Sequence, residues 1–329
     1  MAVLSLTDQL TSLEVAKRLN GNNPDCRMII EELARLDELL LDAPLIEANK
    51  GTVHSTLVRT ALPHGEHRGY NEGVGKSSSQ TKTIEDVISN IEIFSQVDAQ
   101  LIDEAGFDNA SHKAELLMSE QAAFIEGLSQ DMADDIMYGN HDADPRYTNG
   151  FAHRLNKING ETVIDMGGTG NNLTSIYLIK WARDKAHLIY PKGHKTFGVE
   201  VEDLGRHKIE DANGKSFMGY ETHYRIARGL AVRHSKAVIR LANIDKTANN
   251  IGEKIAEYVS KNIDNLAVGG GTISIACNPV IKGILNWTAN QKSNVLYPSK
   301  DPWGNDVLQI GDGRIRKCQS ILMTESQVV

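Results

Sequence analysis

The sequence predicts an α+β protein whose strands are largely antiparallel. Two β-prone runs, residues 52–62 and 81–94, flank a glycine-rich stretch and indicate a long hairpin arm. A helical apolar repeat then extends from Ser111 to about Met137, and beyond Gly139 strand-like runs dominate. Because regular βαβ alternation is missing, these patterns favour an α+β fold over a parallel α/β sheet.

The connection inside the hairpin arm is unusually long. Residues 63–80 include four glycines and the run Ser77-Ser78-Ser79. Loops longer than about 12 residues are uncommon inside compact domains, and an isolated two-stranded ribbon is at best marginally stable in water. The arm is therefore expected either to cover a ligand as a lid or to lie on a neighbouring subunit.

The segment 111–137 predicts a single long amphipathic helix. At 1.5 Å per residue, about 26 residues make a rod of nearly 40 Å, which needs support along its length. Its predicted buried stripe consists of Leu117, Phe124, Leu128, Met132 and Ile136.

Three other helix starts are indicated by a capping residue, which proline follows in two cases. Asn23-Pro24 predicts a helix that ends at Pro44, and Asn278-Pro279 predicts another. Asp245 is predicted to cap a helix that has Ile251, Ile255 and Val259 on one face. Asn213-Gly214 predicts a tight hairpin between strands at residues 206–211 and 216–228.

Composition narrows the class of protein. A length of 329 residues suggests about two domains, and a formal net charge of -8 argues against nucleic-acid binding over the whole surface. The first ten residues lack a signal-peptide pattern, and no apolar run approaches the roughly 20 residues that span a bilayer. Three widely separated cysteines form neither a zinc signature nor a disulfide framework, so a reducing compartment is expected.

The pattern 165–172, Asp-Met-Gly-Gly-Thr-Gly-Asn-Asn, is the main candidate ligand loop. A dinucleotide fingerprint requires glycines that open a helix, whereas another strand-like run follows here. The favoured interpretation is a wide turn between strands. Gly269-Gly270-Gly271 receives the same interpretation because it also precedes a strand.

No residue pattern predicts catalysis, a cofactor or a metal. His54, His64 and His67 are close in sequence but do not form a helical metal-binding motif, and they are interpreted as polar groups on an exposed loop. The nucleophile elbow Gly-x-Ser-x-Gly is missing from the sequence.

A basic run near the middle of the chain allows two interpretations. It is either a solvated sheet face with ion pairs or a subunit contact that meets the acidic long helix, and both remain open. The run comprises Arg225, Arg228, Arg233, Lys236 and Arg240.

Several ordered segments resemble the major capsid proteins of tailed phages, in particular a group found in short-tailed phages. The resemblance extends over nearly the whole chain and rests on the segments 163–178, 189–193, 202–205, 219–224, 229–233, 240–245 and 324–329. It implies the Hong Kong 97 type capsid fold, which has an N-terminal arm, an extended loop, a peripheral domain on a long spine helix, and an axial domain.

The resemblance implies a division of this chain into four parts. These are an N-terminal arm and helix (1–50), an extended loop (51–95), a peripheral domain with the spine helix (96–160), and the axial domain with the remaining peripheral strands (161–329). It also implies a structural protein of the virion that assembles into an icosahedral head. Some capsids of this fold cross-link through a lysine and an asparagine, but no motif in the sequence calls for such a bond, so noncovalent assembly is expected.

The expected partners are copies of the chain itself, arranged as pentamers and hexamers, with portal, scaffolding or cement proteins as additional candidates. The inner face would meet packaged double-stranded DNA without sequence specificity, no membrane is involved, and assembly takes place in the host cytoplasm. The predicted intersubunit contacts are His64, His67, Arg68, Tyr70, Lys76, Glu115, Glu126, Arg225, Arg228 and Arg233.

The alternative is a soluble ligand- or nucleotide-binding enzyme that uses the glycine loop 167–170. In that protein the hairpin arm would fold back as a lid. The two hypotheses differ in what buries the arm. In the capsid protein a second copy of the chain covers it, and in the enzyme it packs on its own chain.

Overall fold

The computed structural model describes residues 19–20, 23–26, 37–104, 110–193, 199–210, 214–291, 297–300 and 306–329. Its α-helices are α1 (Ala99–Glu104), α2 (Ala110–Tyr138), α3 (Phe151–Arg154), α4 (Ile251–Ile263) and α5 (Pro279–Gln291). The segments Glu38–Asp42 and Ser235–Ala237 form short 3-10 helices.

Up to residue 190 the strands are β1 (Leu19–Asn20), β2 (Asn23–Cys26), β3 (Leu45–Glu47), β4 (Val53–Ala61), β5 (Gln80–Val87), β6 (Ser89–Asp98), β7 (Val163–Asp165), β8 (Thr174–Trp181) and β9 (Ala186–Tyr190). The remaining strands are β10 (Glu200–Glu210), β11 (Ser216–Val232), β12 (Val238–Ile244), β13 (Thr272–Cys277), β14 (Tyr297–Lys300), β15 (Asp306–Ile310) and β16 (Gly313–Lys317). The predicted α+β class is confirmed.

The chain divides into two compact units. The first is built on Asn90–Met132 and Lys195–Ala227, and the second on Leu36–Ser89, Ala133–His194 and Arg228–Val329. In the first unit, β10 and β11 form the long antiparallel hairpin that Asn213-Gly214 predicts, and β6 adds to β11. Phe124 of α2 stacks on Tyr224 of β11 with ring centroids 5.3 Å apart, so the aromatic pair fixes the helix on this sheet.

The second unit contains the main hydrophobic core. Strand β8 is fully flanked, with β12 and β13 antiparallel on its two sides, and β16 continues the sheet beside β13. Helices α4 and α5 cover one face of this sheet. The predicted helical stripe of α4 is confirmed, because Ile255 and Val259 are completely buried and Ile251 is nearly so.

The long helix is confirmed almost to the residue. The structure has it over Ala110–Tyr138, compared with the predicted 111–137. Leu128, Met132 and Ile136 of the predicted stripe are buried. The helix ends where the main chain of Gly139 packs tightly, with its N–H donating to the Asp135 carbonyl at 2.7 Å.

Three local predictions were wrong. Helix α4 begins at Ile251 with Asn250 at its N-cap position, so Asp245 does not cap it. Asn23–Cys26 pairs as a strand with β1, so no helix begins at Asn23; the following residues, 27–36, lie outside the described chain. The run 81–94 is not one strand: β5 ends at Val87 and β6 begins at Ser89, where the chain leaves the ribbon. The apolar pattern continues through this break because both strands have a partly buried face, so periodicity alone could not show it.

Candidate intersubunit surface

Strands β4 and β5 form a protruding antiparallel ribbon, hereafter the ribbon. The pairing runs from Val53↔Val87 at its root to Ala61↔Gln80 at its far end. Burial falls along it: His54 and Asp86 at the root are buried, whereas every residue from 59 to 83 is exposed. The loop 62–79 between the strands, hereafter the tip, is exposed along its whole length.

Several large apolar side chains are exposed on the ribbon and its tip. Tyr70 is 102% exposed, and Leu57, Leu62 and Val74 each exceed half exposure. An exposed ribbon edge that carries such side chains is a template for association with another chain. The exposure of these side chains therefore makes the ribbon the candidate intersubunit surface.

The tip is held in shape by its own polar contacts. Arg68 Nε donates to the Glu72 carbonyl at 2.6 Å, and the Gly69 N–H donates to the Glu72 carboxylate at 2.9 Å. The Gly75 N–H donates to Glu66 Oε2 at 3.1 Å. Because these bonds are solvent-exposed, each contributes little to stability, and the tip can adapt to a partner at small cost.

The structure places the ten predicted contact residues on separate surfaces. His64, His67, Arg68, Tyr70 and Lys76 are together on the exposed tip. On the long helix, Glu126 is half-buried and accepts a hydrogen bond from Gln130 at 2.8 Å, while the side chain of Glu115 lies outside the described residues.

The basic run is dispersed in the structure. Arg225 pairs with Glu200 at 2.8 Å in the first unit, and burial lowers the pKa of Arg228 in the second. Arg233 is partly buried: Nη1 donates to the Arg183 carbonyl at 3.0 Å, and Nη2 contacts His54 Nε2.

Arg240 does not belong to a solvated face. It is 4% exposed and forms a buried ion pair with Glu325 at 3.0 Å. Its guanidinium also donates to the Leu155 carbonyl at 2.8 Å and to Ser175 Oγ at 3.0 Å. The interpretation of Arg240 as a surface residue was wrong, because a sequence pattern does not show that the distant Glu325 supplies its counter-charge.

The root of the ribbon contains a buried polar cluster that sequence reasoning missed. His54 is 3% exposed, which corrects its assignment to an exposed loop, and it lies directly across the ribbon from Asp86. Asp86 pairs with Arg154 of α3 at 2.6 Å. The only available signal was a histidine and an aspartate at opposed positions of the two strands, which becomes visible once the register is known.

The glycine loop 167–170 is occupied by the protein's own chain. The Gly168 N–H donates to the Asn243 carbonyl at 2.9 Å, and the Gly170 carbonyl accepts from the Gln327 N–H at 3.1 Å. The Asn243 amide bonds to Asp165 and to both main-chain groups of Val328 at 2.8–2.9 Å. The loop therefore holds the C-terminal segment and offers no phosphate cradle.

Gly168 provides a test of this structural role. A Cβ at this position would come within 2.5 Å of the Asn243 carbonyl oxygen, which cannot move away. Gly168→Ala is therefore expected to cost about 1–3 kcal/mol of unfolding free energy, as overpacking does. Urea denaturation of the subunit measures this. Gly270→Ala is the matched control, because nothing lies within 4 Å of its Cβ position; equal stabilities of the two variants would contradict the prediction.

Among the described residues, no group of histidine, cysteine and carboxylate side chains has the arrangement of a metal site. No helix in the described part of the chain is long and apolar enough to cross a membrane.

The long helix, the protruding ribbon and the mixed sheet together define the Hong Kong 97 type fold of tailed-phage capsid proteins. Over 100% of this chain and 99% of the other, the structure is similar to one of bacteriophage Epsilon15, with a TM-score of 0.72 and 26% identity. It is also similar to the capsid of bacteriophage JBD30 over 88% of this chain and 93% of that one, with a TM-score of 0.53 and 11% identity. No curated protein gives a significant match.

The sequence itself identifies the family. The profile of the family described as "Major capsid protein GP7" matches residues 21–329, so the chain belongs to that family. The protein is a major capsid protein, a structural component of the phage head shell that assembles from copies of itself, and it is not an enzyme. The enzyme hypothesis, with the glycine loop as its site and the arm as a lid, has no support.

Proposed function

We propose that the ribbon is the part of this capsid protein that joins neighbouring copies in the shell. The supporting observation is the exposure of Leu57, Leu62, Tyr70 and Val74 on one ribbon. Burying such a side chain contributes about 1.5–3 kcal/mol, so a neighbour that covers even two of them offsets part of the cost of association. Repeated contacts of this kind between copies close rings of five and six.

The surface that receives the ribbon is the acidic long helix of a neighbouring copy. Residues 59–82 carry four lysines and arginines against two carboxylates, whereas Ala110–Tyr138 carries six carboxylates against one lysine. Of these carboxylates Asp135 is buried and does not contribute to the surface. Opposite charge on the two surfaces favours this docking register over ribbon-to-ribbon contact. Arg225, Arg228 and Arg233 are proposed as separate contacts with other copies, since they are dispersed over the two units.

We also propose the division of the chain into the four parts that the resemblance implies. The N-terminal arm covers residues 1–50, the extended loop 51–95, the peripheral domain 96–160, and the axial domain with the remaining peripheral strands 161–329. Pentamers and hexamers form in the host cytoplasm. Packaged double-stranded DNA lies against the inner face, and portal, scaffolding or cement proteins are further partners.

Charge reversal at the tip tests the contact. Arg68→Glu combined with Lys76→Glu is expected to abolish most shell assembly while leaving the subunit folded, because both side chains lie on the exposed tip and would then repel the acidic helix. Sedimentation and negative-stain microscopy measure the yield of particles, and circular dichroism measures folding.

The matched control is Lys157→Glu with Lys254→Glu, which makes the same change in net charge at two exposed positions away from the ribbon and the long helix. This control is expected to assemble normally. Adding Glu115→Lys and Glu126→Lys to the tip variant is expected to restore assembly in part. Normal shells from the tip variant would rule out this interface, although the protein would remain a capsid protein.

A further inference from the structure

The root of the ribbon joins the rest of the second unit through charged and titratable side chains. His54 of β4 and Asp86 of β5 are a directly opposed pair, and both are buried. Arg154 of α3 clamps this root, since its Nη2 donates to the Asp86 carboxylate at 2.6 Å and to the Leu230 carbonyl at 3.0 Å. Beside it, the Arg233 guanidinium contacts His54 Nε2.

A second histidine closes the cluster from the sheet side. His187 of β9 is completely buried, and its ring meets that of His54 edge-on with centroids 5.7 Å apart. Neither ring nitrogen of His187 has a hydrogen-bond partner within the described chain. A protonated imidazole at this position would be a buried cation with no carboxylate bonded to it, which is strongly unfavourable.

The charges that face the two histidines are mainly positive. Three arginines and two carboxylates act on this cluster from four parts of the fold, and one of the carboxylates is already paired with an arginine. They are Arg154 on α3, Asp86 on β5, Arg183 and Asp184 in the turn before β9, and Arg233 after β11.

We propose that this cluster is an acid-sensitive anchor: protonation of His187 and His54 loosens the attachment of the ribbon root to the second unit. At neutral pH both rings are uncharged and the root stays packed. At acidic pH the two imidazoles take up protons and become positively charged beside Arg154, Arg183 and Arg233. These charges are hydrated only when the root opens to water.

The direction follows from proton linkage. Burial, and then the nearby charge of Arg233, lowers the pKa of His187 to about 3, and burial and Arg233 also lower the pKa of His54. A hydrated imidazole titrates near 6.5. The packed root is therefore favoured above that pH and loses stability as the pH falls below it. For His187 alone, the opening equilibrium rises about tenfold between pH 7.5 and 5.5.

One group acts in the opposite direction. Burial raises the pKa of the Asp86 carboxyl, and proton uptake by that carboxyl favours the packed root. The Arg154 guanidinium at 2.6 Å limits this rise. Between pH 7.5 and 5.5 the histidines are expected to dominate, because a hydrated imidazole gains most of its charge within this interval.

Hydrogen exchange on the unassembled full-length chain tests the proposal without requiring a shell. Peptides that cover residues 52–58 and 84–90 report the root, and exchange is corrected for the intrinsic effect of pH. Root protection in the wild type is expected to fall several-fold from pH 7.5 to 5.5, while α4 stays protected. His187→Phe should remove most of this response, and His187→Phe with His54→Gln should remove all of it.

His223→Gln is the control, since this histidine lies in the first unit and pairs with Glu92 at 3.1 Å; it should respond to pH as the wild type does. Equal root protection of the wild type at the two pH values would overturn the proposal, as would a full response in His187→Phe. If the phenylalanine variant does not fold, an NMR titration of the wild type decides: a folded-state pKa of His187 above 6 would overturn the proposal, and a value below 5 would support it.

Discussion

Removal of the ribbon tip is expected to leave a folded subunit that cannot build shells. Deleting residues 64–79 and replacing Leu62-Pro63 with Asn-Gly joins the two strands through a two-residue turn at the pair Ala61↔Gln80. Asn-Gly suits this type of hairpin. Because the deleted residues are exposed, the core of the second unit loses no packing.

The assembly defect follows from the contacts that the shortened ribbon can no longer make. The change removes Leu62, Tyr70 and Val74, three of the four exposed apolar side chains on the ribbon. A net loss of about 3 kcal/mol per contact raises the subunit concentration needed for assembly by about 100-fold. Because every subunit repeats the contact, the effect is multiplied over the shell.

Light scattering against subunit concentration measures this threshold, and urea denaturation checks that the subunit remains stable. A chain in which residues 64–79 are replaced by glycine and serine of the same length separates loop length from side-chain contacts. This chain is also expected to assemble poorly. Shells that form at the wild-type threshold from the deleted chain would contradict the role of the ribbon.

Neutralising Glu325 is expected to be the most destabilising single change inside the subunit. Arg240 and Glu325 have side chains only 5% and 7% exposed. Glu325 also accepts a hydrogen bond from Tyr138 Oη at 2.6 Å. Glu325→Gln keeps the size of the side chain but leaves the Arg240 cation without its counter-charge, and breaking a buried pair in this way costs about 3–5 kcal/mol.

Urea denaturation of the unassembled chain measures the loss. The matched control is Glu257→Gln, which breaks the exposed pair with Lys261 on α4 and is expected to cost at most about 0.5 kcal/mol. Replacing both buried partners, as in Arg240→Met with Glu325→Leu, should recover much of the stability because no charge stays uncompensated. If Glu325→Gln were as stable as the control, the C-terminal segment would not depend on this ion pair.

The pattern of neighbouring residues was sufficient to predict those helices and strands that bury one regular face. The stripe through Leu128, Met132 and Ile136 predicts the long helix, and Ile255 with Val259 predicts α4. The glycine-rich tip between two β-prone runs predicts the ribbon, whereas its exposure is known only from the structure. In each case the signal lies within one segment, because helical and strand periodicities are properties of neighbouring residues.

Prediction from neighbouring residues failed where a residue far away in the sequence determines the surroundings of a side chain. Nothing near Arg240 in the sequence shows that Glu325 neutralises it, and nothing near His54 shows that Arg233 and His187 enclose it. Asn23 has the residue types of a helix start, but its segment pairs with β1 instead. Capping and propensity contribute only about 1 kcal/mol, so tertiary pairing overrides them.

Residue order along the chain is enough to predict the fold class, the ribbon, the long helix and membership in the capsid family, because each leaves a pattern in the sequence. The identity of the buried charges is known only from the folded chain, because burial is set by segments that meet from far apart. The ribbon root shows the difference: its two strands are visible in the sequence, while the histidines and arginines around them come together only on folding.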